Sequence, residues 1–104
     1  MNLKLYIVGR ERRRKRAPPE KERRAQNGKV RYVGLQDSTV SRRHAEIYIV
    51  EGRIYLRDLG SRNGTFLLVD GAFRRHTEGY VEPNQEVRFG RYRCRVAQLL
   101  PENC

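Results

Sequence analysis

Ala45-Glu46-Ile47-Tyr48-Ile49-Val50 and Arg53-Ile54-Tyr55-Leu56-Arg57-Asp58 are two alternating runs separated only by Glu51-Gly52. A period of two places successive side chains on opposite faces of a strand, so Ile47, Ile49, Ile54 and Leu56 share one face. Two residues ending in glycine are enough to close a hairpin between them. An isolated hairpin is not stable in water, and the rest of the chain must supply more sheet. It does so in short pieces. Leu3, Leu5 and Ile7 alternate within residues 2–8, ending at Gly9-Arg10. Strand character resumes at Val30-Arg31-Tyr32-Val33 and again at Phe66-Leu67-Leu68-Val69, which Asp70-Gly71 closes. Val87 and Phe89 alternate with Glu86 and Arg88. Tyr92, Cys94 and Val96 alternate with Arg91, Arg93 and Arg95, giving one apolar and one cationic face. Short strands punctuated by Gly and Asn imply an all-β protein, an antiparallel β-sandwich. A parallel sheet is not expected, because no helical crossover of sufficient length separates the strands.

A chain of 104 residues makes one domain with a single core. Its net charge of +11 is unevenly spread: residues 10–31 hold eleven Lys/Arg against three Glu, whereas residues 32–104 hold eleven Arg against nine acids. The basic character therefore belongs to one segment. Within it, Arg12-Arg13-Arg14-Lys15-Arg16 repels itself and reads as solvated. Pro19 as a first helical residue and Asn27-Gly28 as a stop are compatible with a short helix over 19–26, marginal on its own.

Cys94 and Cys104 do not form a disulfide framework; Cys94 reads as a small buried apolar residue and Cys104 as an exposed thiol. No run approaches the roughly 20 apolar residues of a membrane span, and the start lacks the cleavage pattern of a signal peptide. A cytoplasmic setting is expected, with a nuclear one compatible with the basic run.

Two polar loops carry the chemistry: Ser41-Arg42-Arg43-His44 and Ser61-Arg62-Asn63-Gly64-Thr65. Hydroxyls, guanidinium groups and a side-chain amide at strand ends can grip an anion and a peptide backbone together. There is no nucleophile–base pair and no metal cluster. His44 and His76 have no acidic or cysteine partner at a recognisable catalytic spacing, so an enzyme is not expected. These loops read as a binding site, best suited to phosphate.

Gly9-Arg10, Ser41-Arg42-Arg43-His44 and Ser61-Arg62-Asn63-Gly64-Thr65, in that order, resemble the three signature elements of a forkhead-associated (FHA) domain. Leu35-Gln36-Asp37-Ser38-Thr39-Val40, Asp58-Leu59-Gly60 and Val87-Arg88-Phe89-Gly90 fit the flanks. The resemblance implies a β-sandwich of eleven strands whose loops bind phosphothreonine peptides, with no cofactor and no metal. Residues 1–99 would be the domain, with a basic insertion at 11–29 after the first strand, and 100–104 a tail. By this resemblance Arg10, Ser41 and Arg42 would hold the phosphate, each charge-assisted bond contributing about 1.5–3 kcal/mol. Asn63 would hold the ligand main chain, with Ser61 and Arg62 lining the same loop. Gly9, His44 and Gly64 would be structural. Arg10 and Ser41 lie 31 positions apart because the basic segment intervenes, which leaves Arg16 as an alternative donor. With only residues 2–8 before the glycine-arginine element, the first sheet would expose an edge on which a homodimer could form.

The insertion supports a rival reading, a nucleic-acid-binding β domain. Residues 10–31 lack the interleaved aromatics that would stack on bases. A degenerate FHA scaffold in a larger assembly is the remaining alternative.

Overall fold

Two pairs of residues in left-handed backbone set the hairpins. Glu51 and Gly52 (φ 51° and 81°) join β3 (Ala45–Val50) to β4 (Arg53–Asp58), and Asp70 and Gly71 (φ 51° and 82°) join β5 (Thr65–Val69) to β6 (Ala72–Arg75). Positive φ at both central positions matches the right-handed twist of the flanking strands. The computed structural model describes residues 3–11 and 30–100. The remaining strands are β1 (Leu3–Arg10), β2 (Val30–Leu35), β7 (Glu78–Val81), β8 (Glu86–Phe89) and β9 (Tyr92–Arg95), followed by a 3₁₀ turn at Val96–Leu99. Nine strands thus form among the described residues, where the family frame implies eleven.

They build two sheets, a five-stranded one in the order β2-β1-β3-β4-β7 and a four-stranded one in the order β6-β5-β8-β9. The expected alternation holds in the first hairpin: Ile47, Ile54 and Leu56 are buried, and Ile49 packs against the same cluster. Tyr6, Val8 and Val81 complete the inner face of the large sheet, and Leu67, Val87 and Phe89 face them from the small one. Leu100, assigned to the tail on sequence, is buried with Val96 and Leu99 under the sandwich. Cys94 packs against the core, and burial pushes its thiol up to about 11. The sandwich is all-β, as expected.

One pairing differs from the expectation. β1 and β2 run parallel, from Leu5 opposite Val30 to Arg10 opposite Leu35; every other pair is antiparallel. A parallel pair needs a connection of about a dozen residues or more to return to the start of the first strand. The stretch between Arg10 and Val30 has that length, without any helical periodicity in its sequence. β1 therefore lies inside the sheet, between β2 and β3, and among the described residues the edges of that sheet are β2 and β7. The pairing also shortens the 31-position gap, since Arg10 lies opposite Leu35, where the loop carrying Ser41 begins. The possible helix at 19–26, most of the basic insertion and Arg16 lie outside the described residues. Among the described residues no helix is long and apolar enough to cross a membrane.

The core positions should dominate stability. Ile47, fully buried, should cost about 2–5 kcal/mol when cut to alanine. Tyr80, 56% exposed on the outer face of the large sheet, should cost under about 1 kcal/mol. Urea denaturation of the two variants checks the contrast.

Candidate functional site

The candidate residues sit where the β2–β3 and β4–β5 loops meet at one end of the sandwich. His44 is completely buried between them. The Ser41 backbone N–H donates to its Nδ1 at 3.0 Å, so Nε2 carries the hydrogen and donates to the Gly64 carbonyl at 2.9 Å. One neutral imidazole thus joins the first residue of one motif to the glycine of the other. Its ring meets Phe89 edge-on at 5.4 Å.

Ser41 Oγ accepts the Arg62 backbone N–H at 3.1 Å, which leaves its own hydroxyl hydrogen free to donate outward. Asn63 Nδ2 donates to the Thr39 carbonyl at 2.8 Å, leaving its second N–H and its oxygen unspent. Thr39 is itself anchored: Asp37 Oδ1 accepts from its N–H and its hydroxyl, and Arg91 N–H donates to Thr39 Oγ1 at 2.8 Å. These bonds hold the Asp37 carboxyl below the usual range. Ser41, Arg62 and Asn63 are therefore brought together, with Arg42 beside them. The guanidinium groups of Arg42 and Arg62 are exposed and have no hydrogen-bond or ion-pair partner among the described residues.

Ser61 is placed differently. It is buried, its hydroxyl donates to Asp58 Oδ1 at 2.6 Å, and its oxygen accepts the Gly64 N–H at 3.0 Å. It shapes the loop from beneath. Asp58 anchors the turn, accepting from Gly60 N–H, Ser61 N–H and the Thr65 hydroxyl as well. Burial resists ionisation of Asp58, but the bonds from Ser61, Thr65 and Gly60 together outweigh it and hold the carboxyl below its ordinary value.

Arg10 joins the group through its main chain. Its N–H donates to the Ser41 carbonyl at 3.0 Å, and the Tyr32 hydroxyl lies 3.0 Å from its carbonyl and 2.9 Å from that of Arg42. The Arg10 guanidinium leans toward the Ser38 carbonyl at 3.5 Å. Gly9 explains how the loop comes so close: a Cβ there would lie 1.8 Å from the Arg42 carbonyl oxygen. Gly64 answers a different need, with a φ of 88° beneath Phe66.

A family model described as FHA domain matches residues 6–90, which is most of the chain. The chain belongs to the FHA domain family. Solved relatives agree: an FHA domain of the CT664 protein from Chlamydia trachomatis is 25% identical, with a TM-score of 0.57 over 86% of this chain and 71% of that one. The FhaA FHA domain, crystallised with the intracellular domain of Rv3910, is 25% identical with a TM-score of 0.56 over 89% and 79%. An FHA domain studied for phosphothreonine-dependent interactions is 27% identical, TM-score 0.56, over 89% and 75%. Among curated proteins, the oxoglutarate dehydrogenase inhibitors of Corynebacterium efficiens and Corynebacterium glutamicum are each 39% identical over 61 residues, 59% of this chain. The chain spans about two-fifths of the length of those relatives.

The sequence reading of this FHA domain missed several supports. Thr39 receives Asn63, Tyr32 bridges two carbonyls, and Gly90, with φ 60°, brings the β8–β9 turn against Thr39. The signal for Thr39 was present in Asp37-Ser38-Thr39, a sequence in which an aspartate can cap the N–H two residues on. Gly90 stood in the Val87-Arg88-Phe89-Gly90 flank, but nothing local marked Tyr32, and the contacts of both need the folded register.

Two outcomes test the frame of the site. Gly9→Ala forces a methyl into a backbone carbonyl, so it should destabilise the domain by about 1–3 kcal/mol or more in urea denaturation. Burial lowers the His44 pKa from its ordinary 6.5, against the pull of the Gly64 carbonyl and Asp58. Below 6.5 the unfolded chain therefore takes up more protons than the folded one. Stability should be full above that value and fall as pH drops below it, through the lowered pKa of the folded state. His44→Asn should flatten that limb of the urea midpoint against pH.

Proposed function

We propose that this FHA domain is a phosphothreonine-dependent protein-interaction module. Ser41 donates its free hydroxyl hydrogen to the phosphate, Arg42 and Arg10 supply cationic donors, and Asn63 holds the ligand main chain. Arg62 reads the neighbouring ligand residue, while Ser61 keeps the loop in shape. The observation that carries this reading is the Ser41 hydroxyl: its acceptor side is occupied by Arg62 N–H, its donor side is open, and exposed guanidinium groups flank it. A dianionic phosphate suits such donors because planar guanidinium can meet two oxygens at once. The FHA relatives solved with a protein partner or studied for phosphothreonine-dependent interactions support the same class of ligand. A regulated enzyme is one kind of partner in keeping with the name of the corynebacterial relatives.

Binding of fluorescein-labelled phosphothreonine peptides, followed by anisotropy, tests the reading. The wild type should bind phosphorylated and not unphosphorylated peptides. Ser41→Ala should weaken binding at least about tenfold, the loss expected for one charge-assisted hydrogen bond. Replacing Arg12, Arg13, Arg14, Lys15 and Arg16 by glutamine, which keeps the length of the β1–β2 connection, should leave binding largely intact. Equal binding by wild type and Ser41→Ala would rule the pocket out. Steeply salt-dependent DNA binding that disappears in the same glutamine variant would favour the nucleic-acid alternative.

A further inference from the structure

The outward face of the four-stranded sheet carries an arginine ladder that the phosphate site does not use. Strand pairing sets Arg75, Phe66, Arg88 and Arg93 side by side across β6, β5, β8 and β9. The Arg88 guanidinium lies 4.1 Å from the Phe66 centroid and 5.0 Å from that of Phe73. Arg93 lies 5.0 Å from Phe73, and Arg75 lies 5.9 Å from Phe66. Cation–π contact fixes these planes in place without neutralising their charge. Among the described residues Glu86 is the carboxylate that answers the ladder, and it takes Arg93 at 2.8 Å. Arg88 gives one N–H to the Gly90 carbonyl.

The ladder begins at the candidate site. A Cβ on Gly64 would lie 2.9 Å from the Phe66 ring and 3.4 Å from the Arg75 guanidinium carbon. Gly90 N–H donates to the Gly64 carbonyl at 2.9 Å, and the next residue, Arg91, is tied by its backbone to Thr39. Arg75 therefore stands directly below the Asn63-Gly64 tip, and Arg91 at the adjoining rim. Both side chains are exposed, without a hydrogen-bond or ion-pair partner among the described residues. A guanidinium already lies over each phenylalanine ring, so the face offers N–H donors at fixed positions and not a stacking platform for bases. Carboxylates on a peptide leaving the phosphate pocket fit those donors.

We propose that this arginine track continues the peptide site and selects ligands whose phosphothreonine is flanked by acidic residues. The inference rests on the phosphothreonine reading above. Solvent-facing pairs of this kind give only about a two- to fivefold gain each, so the effect is cumulative and sensitive to salt.

The full chain is titrated with equal-length labelled peptides carrying a central phosphothreonine, with Asp/Glu or Asn/Gln on both flanks, and with the unphosphorylated acidic peptide. At low salt the acidic phosphopeptide should bind about tenfold tighter than the neutral one, and high salt should remove most of that advantage. The double variant Arg75→Gln/Arg91→Gln should bind both phosphopeptides alike, within about twofold of the wild-type affinity for the neutral one. Circular dichroism of the variant should match wild type. Equal wild-type affinity for both phosphopeptides, with Ser41→Ala still weakening each, overturns the track and leaves the pocket standing. So does a variant that loses both peptides equally, or an unphosphorylated acidic peptide that binds as well as its phosphorylated form. If Ser41→Ala changes nothing, the pocket reading fails and the extension falls with it.

Discussion

One buried imidazole holds the working end of this domain together. His44 accepts a backbone N–H from Ser41 and donates to the carbonyl of Gly64, so it couples two loops that are far apart in the chain. Both partners are main-chain groups, and the coupling therefore fixes backbone position and not merely side-chain contact. In a buried site each of these groups left unpaired would cost about 1–3 kcal/mol. The neutral form is the one that can make both bonds, and burial favours that form. Ser41 and Asn63 inherit their relative placement from this link. The Arg62–Ser41 and Asn63–Thr39 bonds join the same two loops, and the imidazole adds to them a link between the backbones of both.

Close approach of backbone to backbone is the second constraint, and glycine answers it in two different ways. Gly9 lies in an ordinary strand, but the Arg42 carbonyl occupies the space a side chain would need. Gly90 combines a left-handed conformation with contact against the Thr39 carbonyl. At both places the missing side chain lets a loop from elsewhere in the sequence close against a strand or turn. The glycine before Arg10 is therefore needed for packing, and it positions the arginine only through the loop it admits. That argument ties the strand β1 to the site by geometry, independently of what the arginine side chain does.

The parts of this structure that were legible in the sequence are those set by local pattern. The β3–β4 hairpin, its inward isoleucines and the order of the polar loops follow from alternation and turn residues. Short strands with weak alternation were not legible: β6 reads Ala72-Phe73-Arg74-Arg75, and β7 contains Gly79. The parallel pairing of β1 with β2 escaped because a crossover was equated with a helix, whereas the physical requirement is only chain length. Ser61 escaped for another reason. Its hydroxyl faces inward to Asp58, and no sequence pattern distinguishes a serine on the surface of a loop from one beneath it. The cationic face of β9 was visible, but its coupling to Phe66 and Phe73 depends on register across four strands.

Charge in this domain is arranged by what each acid has to do. Asp37 and Asp58 lie within the loops that carry Ser41 and Asn63, yet both carboxylates are consumed by hydroxyls and backbone N–H groups. They cap turns and leave the guanidinium groups of Arg42 and Arg62 without an ion-pair partner among the described residues, while Asp37 acts on Arg91 only through its field. Concentrated like charge destabilises a compact state. Part of that repulsion is offset where arginines lie against aromatic faces or reach carbonyls, as Arg88 does at Gly90 and Arg95 at Asn84. A surface built only for solubility would pair its charges or scatter them. Here acids rigidify the loops while the arginines beside them keep exposed guanidinium groups, and the proposed phosphate site depends on that separation of tasks.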